Sequence, residues 1–283
     1  MKLAGKSVII SGASQGLGFE IAKQFVMQGA NVMLCARNEK ELFEARDKLL
    51  EIIGNRSEVV AVPTDVSDVE QVEKLVNQTL MEFGKLDALV ANAGVYGAKG
   101  KIDECDWEEW SRTIDINLKG TVIQCKSVLP HLKKHNSGKI IILSGGGATK
   151  PLPCLSAYAA SKAAVVRFAE TLAVEVRDYN IDVNTVAPGS LNTRFLDEIL
   201  AAGPEIVGKD FYEQSVKQKK QGGTLLEIGA SLCAFLASPE SNGISGKLIS
   251  ALWDPWQDFP EYIEKLKNSD VYTLRRITSE NRE

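Results

Sequence analysis

Val8-Ile9-Ile10-Ser11-Gly12-Ala13-Ser14-Gln15-Gly16-Leu17-Gly18 is the stretch on which the reading of this chain turns. Its short apolar run reads as a buried strand. From Phe19 to Gln28, Ile21, Ala22 and Phe25 recur at helical spacing. Between strand and helix, glycines at 12, 16 and 18 let the backbone turn tightly and approach a pyrophosphate. The helix that follows offers free N–H groups and the positive end of its dipole to that charge. The spacing is GxxxGxG rather than GxGxxG, and on this motif alone an ordinary strand–helix turn competes. The strand before it and the helix after it give the motif its weight. The candidate cofactor contacts here are Gly12, Ser14, Gln15, Gly16, Leu17 and Gly18.

Outward from this turn, short apolar runs alternate with longer helical patterns. Asn31–Cys35, Val59–Val62, Ala88–Ala91, Ile140–Leu143 and Ile181–Val186 read as further strands, and Leu248-Ile249 as the start of another. A charged helix is predicted from Glu39 to Ile52, and Val69, Val72, Leu75, Val76 and Leu80 mark one face of the next. Strands that are apolar throughout and alternate with helices predict a parallel sheet covered on both faces. The fold expected is α/β, a Rossmann-like doubly wound sheet of about seven strands. Two segments break the rhythm. Residues 192–224 are long, polar and partly helical, and residues 253–283 follow the last strand and contain Pro255 and Pro260. The organisation expected is one dinucleotide-binding and catalytic domain over 1–252, with 253–283 as an extension rather than a second domain.

Composition narrows the function. The 283 residues carry a net charge of −4 with no long basic stretch, which argues against a nucleic-acid partner. The five cysteines are scattered without a CxxC or Cys/His cluster, so a reducing cytoplasm is expected and a metal site is not. No apolar run suggests a signal peptide or a membrane span.

The second strand ends at Cys35-Ala36-Arg37-Asn38. A site for NAD places an acid near here to bond the adenosine ribose. No acid occurs before Glu39, and Arg37 stands about where the 2′-phosphate of NADP would lie. A guanidinium suits phosphate in charge and in fork geometry. NADP(H) is therefore expected over NAD(H).

With these residues placed, the sequence resembles the short-chain dehydrogenase/reductase family over roughly residues 5 to 250. The glycine motif is similar to that family's TGxxxGxG, with Ser11 in place of Thr. Asp65-Val66 resembles its adenine-contacting pair, and Asn92-Ala93-Gly94 the end of its NNAG. Asn117 stands at its catalytic asparagine, Tyr158 and Lys162 match its YxxxK, and Pro188-Gly189 through Thr193 match its PGxxxT. The resemblance implies hydride transfer between NADP(H) and a carbonyl or secondary alcohol. Tyr158 would act as general acid/base, Lys162 would also bond the nicotinamide ribose, Asn117 would hold a relay water, and Thr193 the carboxamide. It further implies a mobile substrate lid over 192–224 and a homodimer or homotetramer.

The physics of the Tyr/Lys pair agrees with that role. Four residues apart on a helix, the two side chains share a face. A free tyrosine titrates near about 10, and a nearby ammonium is expected to lower that value. One departure stands out. The family's serine lies thirteen residues before its tyrosine, and that position here is Gly145. Ser144, carried on a glycine-rich loop, is one candidate to replace it. Ser156 or Thr149 is a second, and backbone N–H groups a third. Loss of the serine with weakened or altered activity is the plain alternative.

Other features are weighed against bland readings. His131 and His135 stand one helical turn apart, but lysines crowd them and no third ligand is evident. Cys154 reads as a small packed thiol at the edge of the substrate region. Lys209, Lys217, Lys219 and Lys220 would either meet an anionic substrate or sit in water. Trp253 and Trp256 are expected at an interface or a pocket rather than over the domain's own core. Two rival functions remain: an epimerase or dehydratase on the same fold, and a non-catalytic NADP-binding regulator.

Overall fold

The computed structural model describes residues 1–53 and 57–278; the last five residues of the C-terminal extension lie outside that range. The apolar runs form seven strands. These are β1 (Ser7–Ser11), β2 (Asn31–Ala36), β3 (Val59–Pro63), β4 (Ala88–Ala91), β5 (Gly138–Leu143), β6 (Ile181–Ala187) and β7 (Leu248–Ser250). All pair in parallel, in the order β3-β2-β1-β4-β5-β6-β7. Successive residues of a strand point to opposite faces, and here both faces are covered. Val8 and Ile10 join one apolar cluster while Ile9, between them, joins the other.

The first face is covered by α1 (Gly16–Met27), α2 (Glu39–Ile53) and α10 (Leu226–Ala237). The second is covered by α3 (Val69–Phe83), α5 (Gly120–His135) and α6 (Ser156–Glu175). Phe25 of α1 is fully buried; a side chain of this kind stabilises by about 1.5–3 kcal/mol. This is the doubly wound α/β arrangement expected. The first helix begins at Gly16, ahead of its apolar stripe, because the glycine turn is already tight enough to enter the helix there. The helix expected around Asn117 is less regular. α4 (Trp107–Ile114) runs through a π-helical stretch at Asp115–Lys119 into α5, and Asn117 lies in that stretch.

The segment after β6 folds as α7 (Arg194–Ala202), α8 (Pro204–Val207) and α9 (Lys209–Gln221). Its two ends are tied together at the base: Leu191 bridges Thr224, and the Thr224 N–H donates to the Ser190 carbonyl at 2.8 Å.

After β7 the chain doubles back, with α11 (Ile263–Lys267) on the way. The backbone N–H of Leu248 donates to the carbonyl of Tyr272, and Lys247 Nζ donates to the carbonyls of Ser269 and Val271. An open sheet edge presents unpaired backbone groups, and the tail covers this one. The two tryptophans part company. Trp256 is buried, its ring centroid 5.5 Å from that of Phe235 and its indole N–H bonded to the Ala251 carbonyl. It therefore covers the domain's own core, contrary to the interface or pocket expected, because the turn at Asp254-Pro255 folds it back onto α10. Trp253 is 81% exposed.

This packing sets apart two substitutions of the same residue type. In urea unfolding, Trp256→Ala should lose about 3–5 kcal/mol, while Trp253→Ala should stay within about 0.5 kcal/mol of the parent. Equal losses would show that the tail is not seated as described.

Candidate active site

A cleft of about 720 Å³ opens where the strands end at their carboxyl termini, and its floor is the point where β1 and β4 lie side by side. Helices leave these two strands toward opposite faces, so the loops diverge and leave a crevice. The crevice is fastened below by a knot of hydrogen bonds. Ser11 Oγ accepts from the backbone N–H groups of Asn92 and Ala93, both at 3.1 Å. The Asn92 side-chain amide donates to the carbonyls of Ser11 and Gly12 at 2.9 and 3.1 Å. Asn92 thus spends its amide on the protein, while Asn92, Ala93 and Gly94 all line the cleft.

Above the knot lies the glycine turn. Gly12 and Gly16 have φ of +63° and +58°. A Cβ at Gly12 would stand 2.9 Å from Ala93 Cα, and one at Gly18 would collide with the Gly12 carbonyl. No side chain caps the start of α1, and its first turn carries no acid. The first-turn N–H groups therefore face the cleft without a carboxylate to neutralise them. Ser14, Gln15, Gly16, Leu17 and Gly18 line this end, and Arg37 stands exposed at its rim. Opposite, Asp65 accepts from the backbone and hydroxyl of Ser67 through one oxygen, and Val66 is buried beside it. Pro188, Gly189 and Thr193 form the far wall, with Thr193 3.5 Å from where a Gly16 Cβ would be. A cradle that excludes side chains, a free helix start and a cationic rim together fit a dinucleotide carrying phosphate.

At the other end stand Tyr158 and Lys162, on one face of α6 and both nearly buried. Lys162 Nζ donates to the Leu143 carbonyl at 2.8 Å and lies 5.8 Å from the centre of the Tyr158 ring. Burial lowers the Lys162 ammonium to about 8. Burial, with a smaller contribution from Tyr96, raises the Tyr158 phenol above its ordinary value. The lowering expected from the nearby lysine is thus not what the protein alone produces. Desolvation outweighs an ammonium that is itself tied to a carbonyl. Asn117 is clamped in both directions to Val95, accepting from its N–H and donating to its carbonyl, each at 2.9 Å, and it also donates to Ser161 Oγ.

The departure at the family's serine position has a steric expression. A Cβ on Gly145 would run into the Tyr158 hydroxyl. The hydroxyl of Ser144 donates to the Lys162 carbonyl at 3.3 Å, beneath α6. Ser156 Oγ accepts from the Trp110 indole at 3.1 Å, and Thr149 is exposed; neither is among the residues lining the cleft.

Several cleft residues carried no signal in the sequence reading: Glu41, Tyr96, Leu152, Phe195, Ile199 and Phe211. Glu41 lies four residues past Arg37, and the Gln15 amide holds its carboxylate at 3.3 Å. Phe195 and Ile199 are four apart on α7, a spacing that does mark a shared face. The lysines at 209, 217, 219 and 220 are not part of the lining. Among the described residues, no cluster of three or more His, Cys, Asp or Glu is placed to hold a metal. No helix there is long and apolar enough to cross a membrane.

Comparison with known proteins accords with this geometry. Residues 6–202 match the family described as short chain dehydrogenase. The 11-beta-hydroxysteroid dehydrogenase-like 3 protein of Arabidopsis thaliana is 39% identical over 197 residues, covering 68% of this chain but 60% of the plant protein. Dehydrogenase/reductase SDR family member 4 of Caenorhabditis elegans is 31% identical over 251 residues, 88% of this chain and 94% of the worm protein. The crystal structure of levodione reductase superposes with a TM-score of 0.81 at 26% identity, covering 91% of this chain and 99% of that one.

The buried lysine makes stability depend on pH. Its folded value of about 8 lies below the roughly 10.4 of an unfolded lysine. Between those values the unfolded chain binds the extra proton, so the contribution of Lys162 to stability rises with pH across the window, by at most about 3 kcal/mol. The thiols of Cys35, Cys125 and Cys233, pushed up by burial, pull the other way in both proteins, so urea titrations should show the stability of the parent gaining on that of Lys162→Met as pH rises through the window. Parallel curves for the two would contradict the burial of Lys162.

Proposed function

The chain belongs to the short-chain dehydrogenase/reductase family, and from that premise we propose that it transfers a hydride between NADP(H) and a carbonyl or secondary alcohol. The observation that carries this reading is one continuous cleft with the glycine turn and Arg37 at one end and the Tyr158/Lys162 pair at the other. A bound nicotinamide cofactor would supply the hydride and, in its oxidised form, a positive charge. Everything else falls to the chain's own groups.

In the reducing direction the Tyr158 phenol donates its proton to the substrate oxygen as negative charge develops there. Its raised value keeps that proton in place until the substrate needs it. Lys162 lies alongside, its Nζ 5.8 Å from the centre of the phenol ring, and its ammonium would meet a ribose hydroxyl of the bound cofactor. Asn117, immobilised on Val95, fixes the loop that backs the site. Gly145 puts no side chain of its own beside the phenol, so recognition of the oxygen rests on Tyr158, with Ser144, which also lines the cleft, as the serine to assist it. That same gap supports a second reading, an NADP-binding protein that has lost turnover.

Arg37 supports NADP(H) over NAD(H). Glu41 also lines this end, but its carboxylate is engaged by Gln15, which leaves the guanidinium to meet a 2′-phosphate. The names of the plant and worm relatives, a hydroxysteroid dehydrogenase-like protein and a dehydrogenase/reductase, support a small-molecule alcohol or ketone as substrate. The five free cysteines support a reducing cytoplasm.

Fluorescence titration with NADPH and NADH tests the cofactor reading. NADPH should bind about tenfold tighter or better, a difference of about 1.4 kcal/mol, and Arg37→Ala should remove it. Tighter NADH binding, or a preference that survives Arg37→Ala, would overturn the assignment.

A further inference from the structure

The arm of the cleft beyond Tyr158 has a chemical character of its own. Tyr96 meets Tyr158 edge to face, with ring centroids 4.6 Å apart and planes at 66°, and the Phe195 ring centroid lies 4.8 Å from that of Tyr96. Leu152, Ile199 and Phe211 continue this wall. Phe195 and Ile199 come from α7 and Phe211 from α9, so the lid turns its apolar face to the reactive phenol. Burial and the Glu198 charge push the Tyr96 phenol up, so it stays a neutral ring at working pH.

Most of the polar side chains that reach this arm are already engaged. Ser215 Oγ donates to the Phe211 carbonyl at 2.8 Å, and the Gln218 amide donates to Leu191 and Asn192. Asp197 is paired with Lys219 at 2.6 Å, and Arg194 with Glu198 at 3.3 Å. A sugar or other polyol needs several convergent donors and acceptors, and most of the polar side chains here are already turned to one another or to the backbone rather than converging on the space beside the phenol. A flat apolar ring would instead meet aromatic faces and aliphatic side chains, whose burial is favourable.

We propose that this arm selects alicyclic or aryl-fused ring ketones and their alcohols over polyhydroxylated carbonyl compounds, with Tyr96 and Phe195 as the residues that determine the choice. This rests on the hydride-transfer reading given above. The ring carbonyl carbon gains a hydride, and with it two electrons, from the reduced nicotinamide co-substrate. The carbonyl oxygen gains the Tyr158 proton, which solvent later replaces. The C=O bond becomes H–C–OH with nothing left over.

The test compares trans-1-decalone and 2-tetralone with dihydroxyacetone and D-xylulose. It follows NADPH oxidation and, separately, equilibrium dialysis of each ketone against the NADP⁺-loaded protein, which has no hydride to give. The ring ketones should exceed the polyols in kcat/KM by about a hundredfold or more, since each well-buried apolar increment discriminates by roughly tenfold or more. Phe195→Ala should raise KM for decalone about tenfold, with the NADPH dissociation constant unchanged, and Phe195→Leu should recover most of that loss. Equal or better use of xylulose would overturn the proposal, as would a decalone KM and dialysis constant indifferent to Phe195→Ala. Binding of NADPH without binding of any ring ketone would overturn it while leaving the cofactor site standing. Failure to bind NADPH at all would remove the hydride-transfer reading and this one together.

Discussion

The hydrogen bonds between Ser11 and Asn92 hold the two halves of this molecule at the one place where they must part. β1 and β4 are neighbours in the sheet, yet the chain leaves them toward opposite faces, and the crevice between their loops is where a ligand can enter. Ser11 Oγ takes two backbone donors from the β4 loop, and the Asn92 amide returns two bonds to the β1 turn. With both loops satisfied by each other, the N–H groups at the start of α1 are left for something outside the protein. The glycines belong to the same constraint: a Cβ at Gly12 or Gly18 would press on Asn92 or on the turn itself.

The chemical end is built on a different compromise. Tyr158 and Lys162 are carried into the interior by α6, and burial works against the charged form of each: it raises the phenol and lowers the ammonium to about 8. A protein that held a phenolate there alone would sustain a large desolvation penalty. Keeping the proton on Tyr158 avoids that penalty and leaves a donor aimed into the cleft. Gly145 completes the arrangement, because a side chain at that position would displace the phenol. The residue that departs from the family pattern is thus the one that gives Tyr158 its seat.

How much of this was legible beforehand follows from the range of the interactions concerned. Strands buried on both faces leave unbroken apolar runs, so β1, β4 and β6 could be read to within a residue or two. The cofactor end could be read as well, since its contacts lie in short spacings along the chain: Gly12 to Gly18, Arg37 at a strand end, Asp65-Val66 after another. The substrate arm could be read only as a segment, the lid expected over 192–224, and not residue by residue. Tyr96, Phe195 and Phe211 come together only because the segment after β6 folds back over α6, and no local pattern records that meeting. Trp256 was misread for the same reason, as its partner Phe235 lies on a helix that ends before β7 begins. The π-helical stretch around Asn117 goes with the clamp on Val95, a contact invisible in the helix's own sequence. The pKa of Tyr158 was expected to move the other way because four-residue spacing reports a neighbour and not the depth at which both groups are buried.

Single-turnover oxidation of NADPH by a saturating ring ketone, in the parent and in Tyr158→Phe, tests the central claim most directly. Phenylalanine keeps the ring and its contact with Tyr96 and removes only the proton donor. The account predicts a loss of about 10²- to 10⁴-fold in the rate of the chemical step, with NADPH binding unchanged. A Tyr158→Phe protein that turns over at the parent rate would contradict it, and with it the role assigned to the Tyr158 hydroxyl.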